Sequence, residues 1–347
     1  MSSAEAVAAV MFAAVTLYAV FAGADFGTGL WDLLAGDAKK GAPMRRLIDR
    51  ALGPVWEANH VWLIFVLVLL WSGFPRPFAT IMRELAIPFW LVGLGIVLRG
   101  SGFAFRKFAP TLQAARLAGV VFAGSSLVTP FFLGTIAGAI ASGRVGTGAH
   151  ETEVIWLSPT SLVGGALAVA TCAFIAAVFL TEEADRGGDI ELAEDLRLKA
   201  FLTAAVTGVI ALVGVFALRS DAETLFDGLT ARGAPEIAVS GLAGIATLLF
   251  LRRRELRRAR ISAVVAVAAV VLGWGFGQYP WILVDSVTIA DGAGHPATLT
   301  ALIIASIIAT VVVTPALILL YRFADTAPHR GQVSTTNNSQ VGSGLNN

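Results

Sequence analysis

Three polar residues that could carry protons or charge stand at the start of an otherwise apolar segment. Residues 52–71 read LGPVWEANHVWLIFVLVLLW, so Glu57, Asn59 and His60 lie directly before a run of hydrocarbon side chains. Glu57 and His60 are three residues apart and would share one face of a helix. Burial most readily brings glutamate and histidine to exchange protons near neutral pH, and asparagine can donate and accept within a water chain. The spacing therefore indicates a proton relay.

Two further ionisable residues lie at the ends of apolar runs. Asp25 occurs in YAVFAGADFGTGLWDLLAG and Arg99 in LGIVLRGSGFAFR. A charge at the centre of a bilayer costs at least about 2.5–3.5 kcal/mol, which makes such residues candidates for function. Charged residues at these places also serve as anchors or helix staples. Both interpretations stand for Asp25 and Arg99, whereas the polar neighbours of Glu57 favour a function.

The composition identifies lipid as the solvent of this chain. Of its 347 residues 56% are hydrophobic and only 14% are charged, with a mean hydropathy of +0.76. A soluble domain carries about 25% charged residues. The single cysteine, Cys172, excludes an internal disulfide and a multi-cysteine metal site. We therefore predict an all-α integral membrane protein.

Nine apolar runs are long enough to cross about 30 Å of hydrocarbon. They cover residues 5–24, 55–73, 78–98, 117–140, 160–180, 200–218, 235–251, 261–277 and 299–321. The sequence thus predicts about nine transmembrane helices in a polytopic membrane domain, residues 1–325. Residues 326–347 are polar and predict a disordered cytoplasmic tail.

The basic residues fall mainly on one side of these spans. Of the 25 Lys and Arg residues, 20 lie in the loops near 36–54, 99–116, 181–199 and 252–260 and in the tail. Since basic loops face the cytoplasm, we expect the N-terminus outside and the C-terminus in the cytoplasm. Spans one to three would then bring Asp25, Glu57, His60 and Arg99 to one depth near the cytoplasm. This arrangement predicts a cytoplasmic proton entrance sealed by the apolar helix behind it.

No histidine pair at membrane depth is expected. Besides His60, the sequence has His150, His295 and His329, all in predicted outer loops or the tail. A bis-histidine haem site needs two such ligands within the bundle. We therefore expect no haem and no metal ion bound by this chain. Arg83 and Glu84, adjacent in ATIMRELAIPFW, are expected to pair with each other.

Four stretches of the sequence resemble subunit II of the cytochrome bd-type quinol oxidases, including their cyanide-insensitive relatives. The resemblance covers roughly residues 10–322, and its most specific motif is GPVWEANHVWL. The other three are FAGADFGTGLWDLL, LGIVLRGSGFAFR and YPWILVDSVTIADGAGHPATL. The family's first-helix Asp, second-helix acid and third-helix Arg fall on Asp25, Glu57 and Arg99. Ala58 and His60 replace the Gly and Gln of the best-known members.

The resemblance implies a nine-helix, multi-pass subunit of the bacterial cell membrane. Its partner would be a larger subunit I, which holds three haems, either b and d or all b, and the quinol site. The complex would oxidise quinol and reduce dioxygen to water with protons taken from the cytoplasm. The lipid bilayer, quinone and small single-helix subunits are the other partners considered, and no nucleic acid is expected.

Two other classes fit parts of the pattern. A proton-coupled secondary transporter would carry ionisable residues, but transporters break helices near the midplane, and here the polar groups cluster at one edge. A structural membrane scaffold would use Asp25, Glu57 and Arg99 as staples alone.

Overall fold

The computed structural model describes residues 1–37, 39–52, 56–148 and 154–326, without the side chains of residues 52, 56–58, 107, 317, 318 and 320–326. The chain divides into two units, Met1–Ser306 and Ile307–Asn347, and the described part of the second unit is helical. The predicted tail beyond Thr326, with His329, lies outside the described residues, as does His150.

Nearly all of the described chain is helical. The helices are α1 (Ser3–Leu34), α2 (Ala42–Leu52), α3 (Trp56–Gly73), α4 (Pro75–Glu84), α5 (Ala86–Phe108), α6 (Leu112–Ala141), α7 (Pro159–Arg186), α8 (Ile190–Asp221), α9 (Glu223–Ala231), α10 (Ala234–Arg252), α11 (Leu256–Gln278), α12 (Ile289–Gly292) and α13 (Pro296–Thr326). A 3-10 turn, Ile155–Leu157, precedes α7. Between α11 and α12, β1 (Trp281–Leu283) pairs antiparallel with β2 (Val287–Thr288).

Eight helices of the described chain are long and apolar enough to cross a membrane. They are α1, α5, α6, α7, α8, α10, α11 and α13. A ninth span is formed if α3 and α4 are taken as one, although they bend by 118° where they meet. Only helices that satisfy their own backbone hydrogen bonds can lie in lipid, so this architecture is a polytopic membrane bundle. The predicted fold class, with about nine membrane helices, is confirmed.

The third span begins later than the sequence predicted. Residues 78–84, assigned to that span, belong to the separate helix α4, and α5 begins only at Ala86, after the buried Leu85. Pro75 and Pro77 favour a new helix start, because proline lacks the amide donor that a continuing helix needs. The expected local pair is confirmed, since an Arg83 nitrogen lies 3.1 Å from a Glu84 oxygen.

Helices α1 and α5 run about ten residues beyond their predicted ends at 24 and 98. The chain stays helical there because residues such as Trp31 pack into a protein core with Leu47 and Ile48 of α2. Asp25 and Arg99 therefore each lie nine residues before the end of their helix, which is about 13 Å along the axis. The predicted ends at 24 and 98 therefore mark the ends of the apolar runs and not the ends of the two helices.

Ion pairs join the helices at both ends of the bundle. At the end that carries most basic residues, Arg254 lies 2.9 Å from Glu194 and Arg260 lies 3.1 Å from Glu182. At the opposite end, Asp221 accepts hydrogen bonds from Arg144 and from Thr160. These contacts hold together loops that are far apart in the sequence.

Close helix contacts in the centre depend on small residues. A Cβ atom added to Gly27 would lie 1.9 Å from the carbonyl oxygen of Cys172, so α1 and α7 touch backbone to backbone at this point. One turn further along α1, the indole nitrogen of Trp31 donates to the carbonyl of Ala173 at 3.1 Å. Packing of this kind drives helix association in lipid, where the solvent is as apolar as the side chains.

We expect Gly27→Ala to separate α1 from α7, because the new methyl group meets backbone that cannot move aside alone. Overpacking costs about 1–3 kcal/mol, and a backbone obstacle places the cost at the upper end. Gly124→Ala in α6 is the control, since its Cβ would have no neighbour within 4 Å. The yield and thermal midpoint of the purified complex measure both variants. Equal midpoints for the two variants would contradict the proposed contact.

Candidate functional site

Asp25 of α1 and Arg99 of α5 form a buried ion pair. An Arg99 Nη2 atom lies 2.9 Å from Asp25 Oδ1, and the two side chains are 2% and 3% exposed. The same nitrogen also donates to the backbone carbonyl of Asp25 at 3.0 Å. Removing two charges from water is favourable only with good geometry and further hydrogen bonds. Whether burial of this ion pair is favourable therefore depends on the remaining partners of the guanidinium.

The guanidinium of Arg99 is held from three sides. Its Nε donates to Ser126 Oγ of α6 at 3.0 Å, and that hydroxyl donates to the carbonyl of Phe122 at 2.6 Å. The rings of Phe26 and Phe122 lie 5.0 and 4.8 Å from Arg99 Cζ. A cation is attracted to the faces of such rings, most strongly where water is excluded. Helices α1, α5 and α6 thus meet at this one side chain.

The second carboxylate oxygen of Asp25 differs from the first. Asp25 Oδ2 is buried and has no hydrogen-bond partner among the residues that the structure describes. The buried hydroxyl of Tyr18, two turns earlier on the same helix, likewise has none within that part of the chain. Buried polar atoms nearly always have a partner, in protein or in ordered water. This side of Asp25 is consequently the one able to receive a proton or a water molecule.

Helix α3 brings two of the predicted residues to this centre. Asn59 Nδ2 donates to the carbonyl of Phe21 at 3.4 Å, one turn before Asp25. The His60 ring packs edge-on against Phe26, with the ring centroids 6.0 Å apart. The ring of Phe26 therefore contacts both the imidazole of His60 and the guanidinium of Arg99.

The predicted cluster is assembled in part. Asp25 and Arg99 are in direct contact, and Asn59 and His60 pack against α1 beside them. Glu57 belongs to α3 by its backbone, one turn before His60, but its side chain lies outside the described residues.

A second ion network lies two helical turns closer to the basic end. Asp32, with a side chain only 4% exposed, accepts from Arg45 Nε at 2.8 Å and from Arg106. Arg106 also pairs with Asp49 of α2. Asp32 and Arg106 each follow Asp25 and Arg99 by seven residues, so two acid–arginine pairs stack along α1 and α5. Phe122 contacts both arginines, at 4.8 and 5.1 Å.

Several of these residues were missed in the sequence. Asp32 and Arg106 stand at the seven-residue spacing that places them above Asp25 and Arg99, and this spacing could have identified them. Ser126 gives no such signal, because a hydroxyl in an apolar helix is usually satisfied by its own backbone.

The described histidines do not form an axial pair for a haem. His60 packs against Phe26, whereas His295 is exposed in the loop before α13, where its Nδ1 accepts from the amide of Ala297. Within the described chain, no group of three or more His, Cys, Asp or Glu residues is arranged to hold a metal ion.

We expect Asp25→Asn to destabilise the protein strongly, because it leaves the buried Arg99 charge uncompensated. Breaking one partner of a buried pair costs about 3–5 kcal/mol. The double variant Asp25→Asn/Arg99→Gln should recover part of that loss. Asp49→Asn is the control, since this carboxylate also pairs with an arginine but is 52% exposed, where such pairs contribute about 0–1 kcal/mol. Thermal midpoints of the purified complexes measure the effect, and a wild-type midpoint for Asp25→Asn would refute it.

Comparisons with known proteins agree on one family. A family model described as cytochrome bd terminal oxidase subunit II matches residues 3–324. A cytochrome bd ubiquinol oxidase subunit 2 of Bacillus subtilis (strain 168) is 27% identical over 241 residues, covering 67% of this chain and 68% of that protein. A second protein of that strain, named provisionally as a cytochrome bd menaquinol oxidase subunit II, is 23% identical over 316 residues, 87% and 89% of the two chains. The solved structure of the bd oxidase from Geobacillus thermodenitrificans superimposes with a TM-score of 0.78 at 26% identity, covering 93% of this chain and 98% of that one.

Proposed function

Because this chain belongs to the cytochrome bd terminal oxidase subunit II family, we propose that its buried Asp25–Arg99 centre takes up protons for a quinol oxidase complex. The family predicted from the four sequence motifs is confirmed, and with it a multi-pass bacterial membrane protein that is part of an oxidoreductase. The transporter alternative is thereby set aside. The role of the individual residues is the part that is proposed.

We place the haems and the quinol site of the complex in the partner, subunit I. This assignment is supported by the described histidines, His60 and His295, which lie in different surroundings and offer no axial pair. Bound haem supplies electron transfer and oxygen reduction in the complex. This chain's own residues would then deliver protons and hold the helices around the path. The matched relatives are named for menaquinol and ubiquinol, which supports quinol as the electron donor.

The orientation of the bundle follows from the distribution of its basic residues. The end formed by α2, the α7–α8 connection and the α10–α11 connection carries most of the 25 Lys and Arg residues. Basic loops remain on the cytoplasmic side. In this orientation α3 begins near the cytoplasm, and its first turn, with Glu57, is the entrance to the site.

The proposed path runs from Glu57 to Asp25. Glu57 would exchange protons with the cytoplasm, and His60 can accept a proton at one ring nitrogen and release it from the other. Asn59 cannot carry charge, but its amide fixes α3 to α1 and can orient water. Arg99 occupies one oxygen of the Asp25 carboxylate, so Oδ2 is the atom available to receive a proton.

The proposal rests on the different environments of the two oxygens of the Asp25 carboxylate. One oxygen is engaged by Arg99 at 2.9 Å, while the other is buried without a partner among the described residues, beside the helix that bears Asn59 and His60. A helix staple would engage both oxygens, as the carboxylate of Asp32 does with Arg45 and Arg106. The arrangement around Asp25 therefore favours a role beyond stapling.

We expect Glu57→Gln to lower the quinol-dependent oxygen uptake of the complex while leaving haem content and assembly intact. The amide keeps the size of the side chain but cannot carry a proton, and removal of a positioned proton carrier costs about 10²–10⁴-fold at most. Glu191→Gln is the control, because Glu191 is an exposed glutamate at the same basic end but lies in the first turn of α8.

Oxygen uptake and the haem spectrum of the same preparation separate the outcomes. Reduced uptake with a normal spectrum in Glu57→Gln, and normal uptake in Glu191→Gln, would support the proton path. Wild-type turnover in Glu57→Gln would reduce this residue to an anchor and support the scaffold interpretation.

A further inference from the structure

An apolar groove runs between α10 and α11 on the outside of the bundle. It has a volume of about 490 Å³, within the range of about 300–1,000 Å³ in which proteins hold small molecules. Its walls include Leu242, Ala246, Phe250, Ile261 and Val265. Leu242 and Ile261 are 68% and 57% exposed, so the groove opens outward. It therefore offers a hydrocarbon surface that the chain itself does not cover.

Arg258 closes one end of this groove and also lines a second depression. That depression, of about 430 Å³, is formed by Glu255, Leu256, Arg257 and Arg258. The guanidinium of Arg258 lies 6.0 Å from the ring of Phe250, which belongs to the apolar wall. The two depressions therefore share Arg258, and two arginines and one glutamate line the second.

The cationic end carries more charge than the protein neutralises. The segment 252–260, RRRELRRAR, holds six arginines. Arg254, Arg258 and Arg260 pair with Glu194, Glu255 and Glu182 at 2.9, 2.5 and 3.1 Å. Arg252, Arg253 and Arg257 are exposed, and within the described chain they form no ion pair. About three positive charges therefore remain unpaired on this segment, and one of them, Arg257, lines the second depression.

We propose that the α10–α11 groove and its arginines bind an anionic phospholipid. An acyl chain would lie along the groove, and the phosphate would be held by Arg257, which lines the second depression, together with the exposed Arg253 of the same segment. The match is one of shape and charge together, because only an amphipathic anion uses both the hydrocarbon walls and the arginines at their end. Basic pockets between membrane helices hold anionic headgroups in this manner, and each nearby arginine contributes roughly fivefold in affinity.

The test uses the whole oxidase complex purified through this chain and stripped of lipid by detergent exchange. Native mass spectrometry then measures the apparent Kd for dioleoylphosphatidylglycerol and, separately, for dioleoylphosphatidylcholine. We expect the anionic lipid to bind more tightly than the zwitterionic one. Arg253→Gln/Arg257→Gln should weaken phosphatidylglycerol binding about 30-fold and leave phosphatidylcholine binding unchanged.

Two further variants locate the site. Arg46→Gln/Arg50→Gln removes two exposed arginines from α2 at the same end of the bundle and should leave phosphatidylglycerol binding unchanged. Ala246→Phe fills the groove and should weaken binding of that lipid. Both arginine pairs are at the surface, so this comparison holds even where the groove-filling variant fails to assemble.

Four outcomes would overturn the proposal. These are equal affinity for the two lipids, wild-type phosphatidylglycerol binding in Arg253→Gln/Arg257→Gln, displacement of the lipid by inorganic phosphate at constant ionic strength, and a co-purifying protein chain that cross-links to Leu242. Displacement by phosphate would mark a simple anion site, and the cross-link would mark a protein partner in the groove. Oxygen uptake is measured in parallel. A change in oxygen uptake that is confined to Glu57→Gln concerns the proton path and not the lipid site.

Discussion

The ion pair between Asp25 and Arg99 is the constraint on which the membrane core depends. Two charges buried at membrane depth are tolerated only if each finds nearly all its partners inside the protein. Arg99 finds them on α1 and α6, through Asp25, Ser126 and the rings of Phe26 and Phe122. A Cβ at Gly102 of α5 would lie 2.8 Å from the Phe122 backbone nitrogen, so α5 and α6 must touch for these contacts to form. The charge and the close packing therefore require each other.

A second buried acid–arginine pair lies at the basic end, and its carboxylate is engaged differently. Asp32 is as buried as Asp25, but both of its oxygens are engaged, one by Arg45 and the other by Arg106. Arg45 also donates to the carbonyls of Gly36 and Asp37, so this network fixes the α1–α2 connection. A fully satisfied pair rigidifies the structure, whereas Asp25 Oδ2 has no hydrogen-bond partner among the residues that the structure describes. The contrast between two stacked pairs is the strongest argument for different roles.

The sequence predicted the existence of the membrane helices better than their ends. Hydropathy locates an apolar run, but α1 and α5 continue as helices past that run because Trp31 and Phe103 pack against protein there. Asp25 and Arg99 consequently lie inside their helices, which no local pattern shows. The start of α4 at Pro75 could have been predicted, since FPRPF places two prolines where that helix begins. Ser126 could not, because its role arises only from the approach of α5 to α6.

Burial is distributed unevenly among the helices of the bundle. The apolar windows of α1, α6 and α7 are 44–50% buried, and it is between α1, α3, α5 and α6 that the ionisable residues meet. The windows of α8 and α10 are only 6% and 11% buried, and their exposed side chains, such as Leu212 and Leu242, are hydrocarbon. Their charged side chains lie in the turns near the helix ends. The two proposals follow this distribution, with proton uptake assigned to the region where helices surround the ionisable residues and lipid binding assigned to an exposed apolar face.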